Sequence, residues 1–278
     1  MVCQKSLEFL GCQKSGGIMI VMKFGGASVA TPQCFHAIAE IIANRKEKEK
    51  NSIVVVLSAM ANTTDQLLNL AKQVHPNPPR REQDMLVTVG ERISIALLAM
   101  ALSLRGIDAV SFTGSQSGIL TSVSHAEARI LDVKPIRILS ALKEGRVVIV
   151  AGFQGVSSKG EITTLGRGGS DTSAVALACA LGAEAVDFYK DVDGIYEKDP
   201  KCVEHGQKFS YLSYVDVKKI VLGGAKVLHA RSIELAEKNK IQLNIRSFHF
   251  PEMIGTQIGE KMERSSIAIY EGEGELWL

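Results

Sequence analysis

The stretch Lys23-Phe24-Gly25-Gly26-Ala27-Ser28 sets a full positive charge two residues ahead of a glycine pair. Adjacent glycines let backbone N–H groups come close to an anion, the amino end of a following helix adds positive potential, and the lysine supplies charge, so the natural ligand is phosphate. Taken alone, Lys-x-Gly-Gly reads more readily as a strand-ending turn beside a surface lysine. It is not a Walker A loop, which needs Gly-x-x-x-x-Gly-Lys-Ser/Thr; the nearest candidate, Gly11 to Gly16, runs into Gly17. The protein-kinase catalytic signature is missing too. Phosphate handling here calls for another architecture.

A second cluster, Thr163-Thr164-Leu165-Gly166-Arg167-Gly168-Gly169-Ser170-Asp171-Thr172-Ser173, leads into an alanine-rich helix. Its glycines free the backbone for close ligand approach, and Arg167 offers a fork matched to a carboxylate or phosphate. Asp171 or Ser170 also reads as a helix cap. The third cluster is Lys190-Asp191-Val192-Asp193-Gly194-Ile195-Tyr196, closed by Asp199-Pro200. Asp193-Gly194 is by itself an ordinary turn signal, and its position after the second glycine cluster gives it weight.

These loops need elements to hold them. Ile18 to Phe24 is an apolar strand, and Thr31-Pro32 opens a helix carrying Phe35, Ile38 and Ile42. That helix ends in Arg45 to Lys50, read as a solvated exit, and Ile53 to Leu57 forms a buried strand. The proline-rich segment His75 to Arg81 is a loop between helices. Leu86, Val89, Ile93, Leu97, Leu98 and Ala101 recur at helical spacing, which predicts a largely buried helix. Further strands are expected at Ala109 to Phe112, Val147 to Ala151, Val186 to Tyr189 and Leu243 to Ile245. Helices are expected at Ala126 to Leu142, Ser173 to Leu181 and Ser232 to Lys238. This alternation predicts an α/β domain with a mainly parallel sheet covered on both faces, and a site at the carboxyl ends of its strands.

Composition agrees. The 278 residues are 46% hydrophobic and 22% charged, enough apolar material for one large domain. The net charge of +2 lacks the field of a nucleic-acid binder, and no uninterrupted apolar stretch has the length of a membrane span. Cys3, Cys12, Cys34, Cys179 and Cys202 are scattered without metal-ligand spacing and fit a reducing cytoplasm. Residues 1–17 read as an extension without the marks of a secretory signal. No repeat or low-complexity tract is present.

In order and spacing, Lys23 to Ser28, Thr164 to Thr172 and Lys190 to Pro200 resemble the signature segments of the amino-acid kinase family, and within it those of the aspartate kinases. Leu57-Ser58-Ala59-Met60 with Thr63-Thr64, Gly90-Glu91-Arg92, Ala151 to Gly155 and Gly224 to His229 match as well, so the resemblance runs from about Ile18 to Gly259. It implies a three-layer αβα sandwich with ATP over the carboxyl ends of the strands, Mg²⁺ on the ATP phosphates, and no metal ligands from the protein. It also implies transfer of the γ-phosphoryl group to the side-chain carboxylate of aspartate, a first step towards lysine or diaminopimelate, threonine and methionine. By the same resemblance Lys23 stabilises the transferring group, Gly25 and Gly26 offer it their amides, and Asp171 orients the lysine. Ser58, Thr64, Glu91 and Arg167 would bind aspartate, Arg167 at a carboxylate and Glu91 at the ammonium. Lys190, Asp191, Asp193 and Tyr196 fall in the loop for adenine and ribose, Lys226 reaches the phosphates, and His229 reads as structural. A cytoplasmic homodimer acting on small molecules completes the expectation. The attacking carboxylate, with an ordinary pKa of about 3.9, needs no general base.

Two departures stand out. Ala27 occupies a position where the aspartate kinases carry Thr or Ser, and about twenty residues follow Gly255-Thr256. Residues 260–278 are therefore expected to be a short tail without a regulatory domain, and inhibition by end products in cis is expected to be absent. A sister kinase with another acceptor would share Lys-x-Gly-Gly, and a regulatory relative would bind ATP without turnover. Gly90-Glu91 with the Thr164 to Asp171 string favours aspartate, and Lys23, Glu91, Arg167 and Asp171 together favour turnover.

Overall fold

Strand β1 (Met19–Phe24) passes through a 3-10 turn (Gly26–Val29) into helix α1 (Pro32–Glu49), and strand β2 (Ser52–Leu57) follows. Helices α2 (Thr63–Val74), α3 (Arg80–Val87) and α4 (Val89–Leu104) come next, then strands β3 (Ala109–Phe112), β4 (Ile119–Thr121) and β5 (Ile130–Val133). Helix α5 (Ile136–Lys143) and strands β6 (Val147–Ala151), β7 (Gln154–Ser157) and β8 (Ile162–Thr164) lead to helix α6 (Gly169–Leu181). Strands β9 (Ala185–Lys190), β10 (Ile195–Tyr196), β11 (Lys208–Phe209) and β12 (Tyr211–Ser213) precede helices α7 (Tyr214–Leu222) and α8 (Ala230–Asn239). Strands β13 (Gln242–Ser247) and β14 (Ile254–Gly259) close the order. This computed structural model describes residues 19–49, 52–197 and 207–260. The expected extension 1–17, Asp199-Pro200, nearly all of the 260–278 tail, Cys3, Cys12 and Cys202 lie outside the described residues.

The main sheet runs β12-β14-β13-β9-β1-β2-β6-β3, and every neighbouring pair is parallel except β13 with β14. Its middle strands are continuous Val/Ile runs such as SIVVVL and VVIVA, which suit strands buried on both faces. On one face α1 and α4 bring Phe35, Ile38, Ile42, Leu98 and Leu102 against Met22, Phe24, Val55 and Leu57. On the other, Ile138, Leu177, Val217 and Ile233 from α5, α6, α7 and α8 pack on Val21, Val54, Val56 and Phe188. The result is the three-layer αβα arrangement. In register, Lys23 lies opposite Val56 on one side and Phe188 on the other, so the loops after β1, β2 and β9 emerge along one edge.

Four expectations change. The helix over 126–142 is instead strand β5, then Pro135, then the short α5, because proline cannot sit inside the helix and the segment before it pairs with β4. β5 belongs to a four-stranded sheet, β5-β4-β7-β8, absent from the sequence reading. α1 runs on to Glu49, and Arg45 turns inward to pair with the buried Asp187 at 3.3 Å, so this stretch is not simply a solvated exit. Finally, α4 is only half buried: Val89, Ile93, Met100 and Leu104 are exposed. The run Arg80–Leu104 is long and apolar enough to cross a membrane by length and composition. Its other face packs on the sheet through Ile95, Leu98 and Leu102 and carries the buried Asp84 and Glu91, as a core helix does.

Candidate active site

Lys23 is the fifth residue of β1, and the alternation of a strand turns it to the α6 side of the sheet, with Val21. There its Nζ lies 2.6 Å from Asp171 Oδ1, with both side chains less than one-tenth exposed. Asp171 stands in the first turn of α6, where the helix amino end favours a negative charge. Burial acts to raise this carboxyl, and Lys23 together with Lys190 and His229 overrides it, holding Asp171 below the ordinary carboxylate range. Asp171 and Ser170 do not cap the helix as expected. The cap position is Gly168, in the left-handed region at φ +70°, with no side-chain cap bond. A Cβ there would overlap the His229 ring, which makes glycine a requirement of this loop.

The glycine pair after β1 opens the 3-10 turn rather than the long α1, so the free amides facing the loop belong to that turn. Gly26 lines a cleft of about 1040 Å³ together with Lys23, Ser58, Thr64, Glu91, Arg167 and Asp171. The catalytic and acceptor-side candidates from the sequence are therefore brought to one place. Ser58 follows β2, Thr64 opens α2, and Arg167 is exposed on the loop between β8 and α6.

Glu91, in the first turn of α4, is buried at 3% exposure. Close approach of α4 to the loop after β2 depends on Gly90, where a Cβ would come 2.7 Å from that of Ala59. Glu91 Oε1 accepts from the Ala59 N–H at 3.2 Å, and Oε2 has no hydrogen-bond partner. Burial pushes this carboxyl up to about 7, against the pull of its backbone hydrogen bonds.

The adenine and ribose candidates Lys190, Asp191, Asp193 and Tyr196, and Lys226, behave differently, and none of them lines this cleft. Lys190, at the end of β9, places Nζ 3.8 Å from Asp171 Oδ2. Asp193 accepts from the Tyr196 hydroxyl at 2.7 Å and from Lys208 at 3.0 Å, which holds its carboxyl below the ordinary range. Asp191 is exposed. Lys226 is exposed on the connection between α7 and α8, and no hydrogen bond or ion pair joins it to Lys23, Asp171 or Lys190.

Sequence reasoning passed over Asp84, His229 and Arg231, all of which line the cleft. Asp84 is buried and accepts from the Thr164 hydroxyl at 2.6 Å and the Ala126 N–H at 3.1 Å, with His125 Nδ1 at 2.8 Å. Asp84 and Glu91 are seven residues apart, two turns of one helical run. Two carboxylates on one face of an apolar stretch are a readable signal. Arg231 donates to Leu165 O at 2.6 Å and Ala128 O at 3.2 Å, tying the glycine loop to the 122–129 loop. Among the described residues no group of three or more His, Cys, Asp or Glu side chains is arranged to hold a metal ion.

The chain that carries this site is similar to known proteins in sequence and in fold. The aspartokinase of Mycobacterium tuberculosis strain H37Rv is 51% identical over 230 residues, 82% of this chain and 54% of that one. The aspartate kinase of Synechocystis has a TM-score of 0.78 at 43% identity, covering 87% of this chain and 40% of that one. E. coli aspartokinase III, in complex with aspartate and ADP, has a TM-score of 0.76 at 28% identity over 89% of this chain and 65% of that one. This chain thus spans about half the length, 54%, of such curated relatives. The amino acid kinase family matches residues 19–247, from the first residue of β1 to the last of β13. Because that match takes in every element of the αβα frame but β14, and every residue of the cleft, the chain belongs to the amino acid kinase family.

Proposed function

We propose that this chain carries the kinase site of an aspartate kinase, transferring the γ-phosphoryl group of ATP to the side-chain carboxylate of L-aspartate to give 4-phospho-L-aspartate. The observation that carries the reading is Glu91 Oε2, a buried carboxylate oxygen without a donor in the same cleft as the Lys23–Asp171 pair. Such an oxygen is costly to bury unless a ligand completes it, and the ammonium of an amino acid has the matching charge and donors. Arg167 supplies a fork for a carboxylate, while Ser58 and Thr64 supply hydroxyls.

The acceptor carboxylate is ionised at neutral pH, so the barrier is charge repulsion against the polyphosphate rather than proton removal. Lys23 and the amides after β1 stabilise charge on the transferring group, and Asp171 holds the lysine in place. Mg²⁺ in this reading is carried by the nucleotide phosphates and offsets their charge. ATP as co-substrate agrees with a cytoplasmic setting. The aspartokinase relatives, and the aspartate and ADP of the E. coli structure, support the same substrates.

A homodimer belongs to the reading as well. Met85, Val89, Ile93, Met100 and Leu104 are exposed apolar residues that fall within an arc of about 100° on the helical run, and a second copy of the chain is the occupant proposed for that stripe. The activity is tested by ADP release from Mg-ATP over a panel of aspartate, glutamate, acetylglutamate, succinate and UMP. Release with aspartate alone supports the assignment; release only with another acceptor replaces it.

A further inference from the structure

We infer that Lys190 is a second polyphosphate-binding cation that works beside Lys23 at the transferring end of the nucleotide, rather than a contact to adenine or ribose. The inference deepens the kinase reading and rests on it.

The parity of β9 puts the side chain there. Val186 and Phe188 are buried in the core beneath α6, and Lys190, two residues further, continues on the same face. Tyr189 points the other way and stacks on Phe24 with ring centroids 4.5 Å apart. The Lys190 side chain passes the Phe188 ring, with Nζ 5.8 Å from its centroid, and arrives at Asp171 Oδ2.

Asp171 does not need it. Its other oxygen already holds Lys23 at 2.6 Å, so one carboxylate serves two ammonium groups whose side chains are 5% and 15% exposed. With Asp191 exposed, the buried part of the cluster therefore holds a surplus positive charge away from water. The groups facing Lys190 are Asp171 from α6, Lys23 from β1 and Asp191 beside it in the chain. Burial, reinforced by Lys23, pushes Lys190 down to about 8 in spite of both carboxylates. A buried cation in excess of its counter-ions is costly unless an anion completes it. A nucleoside diphosphate or triphosphate meets that need at the mouth of the glycine loop, whereas a neutral base or a ribose hydroxyl does not. The residues beyond Lys190 fit a turn: Asp193 is already satisfied by Tyr196 and Lys208.

The test is calorimetric titration with AMP, ADP and ATP in the presence of Mg²⁺, using the wild-type chain, Lys190→Met and Lys190→Arg. In the wild type, affinity rises with each added phosphate. Lys190→Met leaves AMP binding within about twofold and weakens ADP and ATP by about tenfold or more, the scale of a lost charge-assisted contact, and Lys190→Arg recovers most of the loss. Wild-type affinity for ATP also declines from pH 7 to pH 9 as Lys190 loses its proton, and Lys190→Arg lacks that decline. The melting midpoint of Lys190→Met at pH 7 stays at or above the wild-type value, since the methionine removes a buried surplus charge. Equal weakening of AMP and ATP, or no weakening of either, overturns the inference while ATP binding by the wild type leaves the kinase reading standing. A wild-type chain that binds none of the three nucleotides removes both.

Discussion

Glu91 is the residue at which structure and chemistry meet most tightly. Its folded-state carboxyl is raised above its ordinary 4.5 to about 7, so between those values the folded chain holds a proton that the unfolded chain has released. Stability contributed at this site therefore falls as pH rises across that window and is lowest above it. Glu91→Gln keeps an oxygen for the Ala59 N–H and removes the buried charge. Its melting midpoint should exceed the wild-type value at pH 8 and match it at pH 5. Activity moves the opposite way: kcat/KM for aspartate in the wild type should decline below about pH 7, and Glu91→Gln should show a raised KM without that decline. Lys23→Ala should lower kcat by about 100-fold or more, as expected for loss of a main stabiliser of transferring charge. It should still fold, because Asp171 retains Lys190; circular dichroism and a melting curve check this. Most of these residues were legible from the order of the motifs. The motif alone sets Lys190 in the adenine and ribose loop; the inference that it serves the phosphates rests on the face of β9 on which it falls, which depends on a register that the motif does not supply.

Elements position this chemistry through a few polar ties. Asp84 gathers β8 through Thr164 and the 122–129 loop through Ala126 and His125, all beneath one wall of the cleft. Asp84→Ala leaves those donors without their acceptor and should cost about 2–3 kcal/mol in denaturant unfolding, with KM for the acceptor affected more than KM for ATP. The long parallel strands were readable because runs such as Val54-Val55-Val56 suit only a strand buried on both faces. The small sheet was not. Ile119–Thr121 and Ile162–Thr164 have three residues each, and Gln154–Ser157 includes a glycine, too little sequence for a period of two to show. The helix read through Ala126–Leu142 failed at Pro135, where a break in propensity outweighed a favourable apolar spacing.

At the scale of the whole molecule, three layers place the cation cluster on the carboxyl edge of the sheet, and the outer face of the 80–104 run remains apolar. If a second copy covers that stripe, sedimentation of the purified chain should give a dimer, and the double variant Ile93→Glu with Met100→Glu should give a folded monomer. A wild-type monomer at micromolar concentration would contradict that part of the account. The central claim is the reaction itself, an acyl phosphate made on the aspartate side chain. It is tested most directly by incubating the chain with Mg-ATP, L-aspartate and hydroxylamine and identifying the trapped product by mass. The account predicts aspartate β-hydroxamate in amounts equal to the ADP released, abolished in Lys23→Ala; ADP release without hydroxamate, or hydroxamate from a different acceptor only, would contradict it.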